Sequence, residues 1–226
     1  LPRIPLRFIQ ATIHPGYMEE FHLLINKQSN ETFLAWNNEP LLDMHELKIK
    51  GQHNALNALA VLAIAYQAGL PMAPLIPVLK SFKGLPHRCA WIREYQGVTW
   101  YNDSKGTNIG ATVAAIAGLG AAIKGKVVLL AGGLGKGADF TELQPVVKKY
   151  AKHIILFGQD GALIGDALKG IVSTSFAQGL DEAVQQAVKI AEPNDIVLLS
   201  PACASWDMFN NFEHRGQVFC ELVQGL

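Results

Sequence analysis

Four short segments of this chain place carboxylates, cations, hydroxyls and amides where a hydrophobic core has no use for them. In Asn102-Asp103-Ser104-Lys105-Gly106-Thr107-Asn108, an apolar run ends in seven consecutive small or polar residues before an alanine-rich stretch. A helix entry needs one cap, which Ser104 or Thr107 could supply. Asp103, Lys105 and Thr107 together offer more: an acceptor, a cation and a hydroxyl at one place. In Ala131-Gly132-Gly133-Leu134-Gly135-Lys136-Gly137-Ala138-Asp139, the glycines let backbone amides face an anion and Lys136 adds charge. The spacing is not that of a phosphate loop, since Gly137 stands where the hydroxyl belongs, nor is it a G-x-G-x-x-G fingerprint. The segment reads as an anion site for which a carboxylate is as good a ligand as a phosphate.

The third segment is Ser200-Pro201-Ala202-Cys203-Ala204-Ser205-Trp206-Asp207, whose small residues let a ligand approach the backbone. Cys203 could be argued as a nucleophile, but no histidine neighbours it in sequence, and a buried small thiol is the better reading. The fourth is His53-Asn54-Ala55-Leu56-Asn57. Asn54 and Asn57 share a helix face, and capping explains the first more cheaply than the second. An asparagine amide can match the N6/N7 edge of adenine with two hydrogen bonds. Arg88, after Gly84-Leu85-Pro86-His87, could add a guanidinium to the same nucleotide. The seven histidines are scattered and no Cys pair has ligand spacing, so these residues point to no metal site.

The elements that must position these groups come in two styles. Residues 6–9, 21–25, 32–36 and 47–49 read as short strands separated by polar or Pro/Gly segments. From Asn54 the apolar residues recur at helical intervals until Gly69, and a second helix is expected over 71–82, with Pro74 and Pro77 in its first turns. After Gly84-Leu85-Pro86 the order becomes strand, helix, strand, helix. Strands are expected at 89–95, 98–101, 127–130, 153–157, 174–176 and 196–199, and helices at 140–150, 162–168, 180–191 and 209–223. The central strands are continuously apolar, as in a parallel sheet covered on both faces. The fold class is α/β, with a doubly wound, mostly parallel, Rossmann-like sheet after a boundary near residues 86–88. In such sheets ligands bind beyond the carboxyl ends of the strands, where three of the four segments fall.

The bulk properties exclude other classes. Half of the 226 residues are hydrophobic and 17% are charged, so a core is affordable and disorder is excluded. Nineteen basic residues balance nineteen acidic ones, leaving no pull toward nucleic acid or an anionic membrane. No apolar run reaches the roughly 18 residues of a spanning helix. Three widely spaced cysteines fit reduced thiols in a cytoplasmic chain. Opening on Leu1, the chain reads as a piece of a longer protein.

In order, these segments resemble the Mur ligases, ATP-dependent amide-forming enzymes of peptidoglycan synthesis. The carriers are Gly51-Gln52-His53-Asn54-Ala55-Leu56-Asn57-Ala58, Gly84-Leu85-Pro86-His87-Arg88, residues 102–108, and a tail from Leu199 through Phe209, Phe212-Glu213 and Arg215-Gly216. The first three are widespread in the superfamily, and the tail is closest to its D-glutamate-adding members. The resemblance implies that residues 1–87 end a central ATP-binding domain and that 88–226 form the domain binding the incoming amino acid. It implies ATP contacts at Asn54, Asn57, Arg88 and Asp103, and D-glutamate contacts at Thr107, Lys136, Ser205 and Phe212. It leaves the roles of His87 and Lys105 open. It further implies a cytoplasmic monomer acting on UDP-N-acetylmuramoyl-L-alanine, D-glutamate and ATP with magnesium, and no nucleic acid or membrane partner. The family's phosphate loop, metal ligands and uridine-binding domain precede this segment, so the chain alone is expected to be inactive. Another Mur-type or folylpolyglutamate-type ligase, or a non-catalytic binding module, is the alternative.

Overall fold

The computed structural model describes residues 21–26, 31–49 and 51–226, and the chain divides into two units, Leu1–Lys83 and Gly84–Leu226. The strand expected at 6–9 lies outside the described residues. In the first unit, β1 (Phe21–Ile25), β2 (Thr32–Trp36) and β3 (Glu39–Asp43) form an antiparallel sheet in sequence order. Asn37 and Asn38, at φ 48° and 66°, make the two-residue turn between β2 and β3, the left-handed pair that matches strand twist. The helix α1 (Gln52–Gln67) packs Ala55, Leu59 and Leu62 with Phe21, Leu34 and Leu42, and α2 (Leu75–Ser81) adds Leu79.

Three expectations change here. Residues 47–49 are not a strand: Leu47 closes a 3₁₀ turn over Met44–Glu46. The third strand is Glu39–Asp43, masked in sequence by Pro40, which an edge strand tolerates. The N-cap of α1 is Gly51 at φ 96°, so Asn54 lies within the first turn instead of capping it. The second helix is shorter than 71–82, with Pro77 at its third residue, where an amide has no helical partner.

The second unit holds β4 (Ala90–Tyr95), β5 (Val98–Asn102), β6 (Val127–Gly132), β7 (Ala151–Phe157), β8 (Ser173–Phe176) and β9 (Ile196–Leu199). They form one sheet in the order β4-β5-β9-β6-β7-β8. Every pairing is parallel except the β4–β5 hairpin. Five helices cover it: α3 (Ile109–Gly120), α4 (Gln144–Tyr150), α5 (Gly161–Ala167), α6 (Leu180–Ile190) and α7 (Phe212–Gln224). Val127, Leu129, Ile196 and Leu198 pack with α3, α4 and α5 on one face, while Val128, Leu130, Val197 and Leu199 pack with α6 and α7 on the other. Each such residue contributes about 1.5–3 kcal/mol by burial. The double cover explains why these strands are apolar at every position.

The two units meet between Lys83 and Gly84, a few residues before the boundary expected near 86–88. His87 is bound into the second unit, where its carbonyl accepts from the Lys105 amide at 3.0 Å and its Nδ1 lies 3.1 Å from the Asn102 amide nitrogen. Among the described residues, no helix is long and apolar enough to cross a membrane. From β6 the chain steps outward through β7 to β8, then returns to insert β9 between β5 and β6. The loops after β5, β6 and β9 therefore leave neighbouring parallel strands side by side at the switch point.

Candidate functional site

The loop after β5 is fixed from within. The Asp103 amide donates to the Leu199 carbonyl at 2.7 Å, and the buried Asp103 carboxylate accepts from the Cys89 amide at 3.1 Å and the Ser200 hydroxyl at 2.7 Å. Burial raises its pKa; the bonds from Ser200 and Cys89 and the nearby Arg88 charge oppose that rise. Asn102 accepts from the Ser104 amide at 3.0 Å and donates to the Gly216 carbonyl at 2.9 Å. A Cβ on Gly216 would stand 2.2 Å from His87 Nδ1, so α7 comes this close to His87 only with glycine there. The cap of α3 is Asn108, accepting from the Ala111 amide at 2.9 Å, and neither Ser104 nor Thr107 serves.

Arg215 joins the loops after β5 and β9. Fully buried, it donates from Nε to the Ser104 hydroxyl at 3.0 Å and from Nη2 to the Ser104 carbonyl at 2.8 Å. Its Nη1 donates to the Cys203 carbonyl at 3.2 Å. Burial lowers its pKa to about 10, which leaves it charged at neutral pH. The Ser104 hydroxyl in turn donates to the carbonyl of Phe212, at the start of α7, at 2.8 Å. The last helix starts at Phe212 instead of 209 because Asn211 caps it, accepting from the His214 amide at 2.7 Å.

The loops after β6 and β9 are zipped together. Leu134 and Ala204 exchange two backbone hydrogen bonds of 2.9 Å, and the Gly132 amide donates to the Pro201 carbonyl at 2.9 Å. Gly133, at φ 125°, would carry a Cβ only 2.2 Å from the Ala204 carbonyl oxygen, so no other residue fits this crossing. Asp160 accepts from the Gly135 amide at 2.6 Å, and one Asp207 oxygen accepts from the Gln159 amide at 2.9 Å. The other Asp207 oxygen is buried without a hydrogen-bond partner among the described residues. Cys203 is buried and its thiol is pushed up to about 12, chiefly by desolvation. It is protonated at neutral pH, consistent with a packed thiol and not with a nucleophile.

These loops bring together most of the side chains singled out from sequence. The Lys105 ammonium sits 3.7 Å from the Phe212 ring centroid, and His87 meets the same ring edge-on at 6.0 Å. Exposed Lys136, at φ 55°, sets its ammonium 4.5 Å from the Trp206 ring centroid, beside buried Ser205. Neither lysine has a carboxylate within ion-pair distance among the described residues. Thr107 is half-buried in the β5 loop, and Arg88 is exposed just before β4. Asn54 is half-buried and Asn57 exposed on α1, in the first unit. The arrangement offers two ammonium groups, hydroxyls and glycine-loop amides at one sheet edge, a set suited to a small anion with more than one carboxylate.

Sequence reading left Arg215 and Trp206 without roles and offered Ser104 only as a helix cap, whereas its hydroxyl and carbonyl both accept from Arg215. The signal for Arg215 was available: it shares the buried face of α7 with Phe219 and Val223 at four-residue steps, so a cation stands on the apolar stripe.

These loops lie at the carboxyl edge of the parallel strands in a doubly wound α/β domain, and residues 87–203, more than half of the chain, match the model of the Mur ligase, glutamate ligase domain. The chain belongs to that family. Two curated relatives are UDP-N-acetylmuramoylalanine--D-glutamate ligases: one from Legionella pneumophila (strain Paris), 53% identical over 88% of this chain and 45% of its own, and one from Pseudomonas putida, 50% identical over 89% and 45%. The chain thus spans about half the length of these relatives. Among solved structures, UDP-N-acetylmuramate-alanine ligase MurC from Thermotoga maritima superposes with a TM-score of 0.63 at 19% identity, over 91% of this chain and 46% of that one. A Yersinia pestis folylpolyglutamate synthase/dihydrofolate synthase, complexed with AMPPNP and Mn ion, gives 0.62 at 17%, over 90% and 46%. At these identities the likeness establishes the fold.

Proposed function

We propose that this chain is the amino-acid-binding portion of an ATP-dependent ligase that joins D-glutamate to UDP-N-acetylmuramoyl-L-alanine in peptidoglycan synthesis. The observation that carries the reading is the pair of ammonium groups, Lys105 and Lys136, each resting on an aromatic ring and free of protein carboxylates among the described residues. A dicarboxylic amino acid supplies the missing counter-charges. Lys136, Thr107, Ser205 and the start of α7 at Phe212 hold its carboxylates, which leaves the amine to face the second substrate. The D-glutamate ligase relatives, 53% identical over the half of their length that this chain spans, favour this substrate over the folylpolyglutamate alternative, which shares the fold at 17% identity.

ATP, when bound, supplies the phosphoryl group that turns the substrate carboxylate into an acyl phosphate open to attack by the amine. The exposed Asn57 amide and exposed Arg88 guanidinium have the chemistry to meet a nucleotide base and phosphates. With Asn54 on the same helix and Asp103 at the root of the β5 loop, they are the residues we assign to it. The AMPPNP complex of the Yersinia pestis fold neighbour is in keeping with that assignment. Magnesium belongs to the same reading, but the described residues contain no group of three or more His, Cys, Asp or Glu able to hold a metal. They do not fit as its cage. The three free cysteines suit a cytoplasmic enzyme, and we place the protein there as a monomer acting on small molecules.

The test is phosphate release by the full-length gene product carrying this chain, supplied with ATP, UDP-N-acetylmuramoyl-L-alanine and one amino acid at a time. Release that depends on D-glutamate is expected. Equal release with L-glutamate or diaminopimelate, or release only with a folate acceptor, overturns the reading.

A further inference from the structure

Lys136 and Trp206 stand on different loops, each two residues beyond the Leu134–Ala204 bridge that zips those loops together. The ammonium lies 4.5 Å from the indole centroid. Trp206 is 66% exposed, so most of a large apolar side chain stands in solvent and core burial does not explain it. Lys136 in turn holds a left-handed backbone at φ 55°, disfavoured for a lysine. The nearby Asp160 and Asp207 carboxylates accept from the backbone amides of Gly135 and Gln159 and lie outside ion-pair distance of this ammonium. Among the described residues, the partner of this charge is a π-face.

We propose that Trp206 is a positioning residue: its indole cradles the Lys136 ammonium at the mouth of the amino-acid site and holds it there without neutralising it. This rests on the reading of the site as one for D-glutamate and deepens it. A lysine side chain is flexible and strongly hydrated. A carboxylate partner would fix it but would compete with the substrate carboxylate for the same charge. An exposed aromatic face favours the cradled position by only about two- to fivefold, enough to bias the rotamers and weak enough to yield to an incoming anion. Lys105 over Phe212, at 3.7 Å, repeats the device for a second ammonium. Each carboxylate of the amino acid would then meet a cation already in place and unpaired.

Two measurements test the cradle. In the full-length protein, Trp206→Leu keeps the bulk and removes the π-face, while Trp206→Phe keeps a π-face. The expected result is a KM for D-glutamate raised about three- to fivefold in Trp206→Leu, with kcat and the KM for ATP near wild type, and rescue to within about twofold by Trp206→Phe. In the chain itself, proton–carbon-13 correlation spectra of lysine side chains should show the Lys136 methylene protons shifted upfield by the indole ring current, and Trp206→Leu should abolish that shift. A KM unchanged in Trp206→Leu, or kcat and both KM values moving together in Trp206→Leu and Trp206→Phe alike, overturns the proposal. So does a Lys136 spectrum indifferent to Trp206. A wild-type protein that ignores D-glutamate, with the ring-current shift intact, refutes the substrate reading and leaves the cradle supported.

Discussion

The loops after β5 and β6 leave the same edge of one sheet and are built on opposite plans. In the first, Asn102, Asp103 and Ser104 are buried, and each spends its side chain on protein hydrogen bonds. In the second, residues 136–139 are exposed, and the path is set by glycines and by the backbone bridge to Ala204. The difference separates two tasks. Polar side chains that look functional in the β5 loop largely hold its shape, whereas the β6 loop uses backbone for shape and leaves its one cation, Lys136, exposed. A polar motif at a strand tip therefore serves the loop, a ligand or both, and its hydrogen bonds show which groups the loop already uses.

The sharpest way to break the contrast is to remove the guanidinium that locks the rigid loop. Arg215→Met leaves the Ser104 and Cys203 carbonyls without their donor, and should destabilise the protein by about 3–5 kcal/mol, read as a lowered denaturant midpoint. Gly133→Ala attacks the other loop through its backbone. The φ of 125° and the 2.2 Å approach to Ala204 predict a loss of about 2–3 kcal/mol, and a loss below about 0.5 kcal/mol would show that the bridge is soft.

A smaller effect comes from pH. Burial raises the Asp103 pKa, so the folded protein keeps a proton at pH values where the unfolded chain has released it. Its contribution to stability therefore falls as pH rises from the ordinary carboxylate value of 3.8 through the raised native value. The difference in stability between Asp103→Asn and wild type should show that slope, and a flat difference across the window would mean that the carboxylate is solvated. The smallest stability effect belongs to Lys136→Ala, within about 0.5 kcal/mol because the side chain is exposed. Its D-glutamate kcat/KM in the full-length enzyme should nevertheless fall roughly tenfold or more, with ATP use little changed.

Much of the second unit was legible in sequence. The unbroken apolar strands at 127–130 and 196–199 announced a sheet covered twice, and glycine followed by a lysine marked the β6 loop. Less of the first unit was, because Pro40 disguised an edge strand and Gly51 took the cap that Asn54 could have filled. The site divides the same way. Lys136, Ser205 and Thr107 are visible as polar groups at strand tips. Their supports, Arg215 and Trp206, depend on contacts between segments about 70–110 residues apart, and local pattern carries no record of such pairings. The cap of α3 was read from the right kind of residue at the wrong place, since Asn108 outcompetes Thr107 by one position.

The central claim is that the loops after β6 and β9 receive an acidic amino acid. The most direct measurement is amide chemical-shift mapping on this chain, titrated with D-glutamate and, separately, with L-glutamate. The account predicts saturable shifts for D-glutamate at Gly133, Gly135, Lys136, Ser205 and Trp206, with weaker ones for L-glutamate. Shifts confined instead to the 340 Å³ depression at the opposite end of the sheet, lined by Gly97, Thr99, Lys124 and Asn194, or identical responses to both enantiomers, would contradict it.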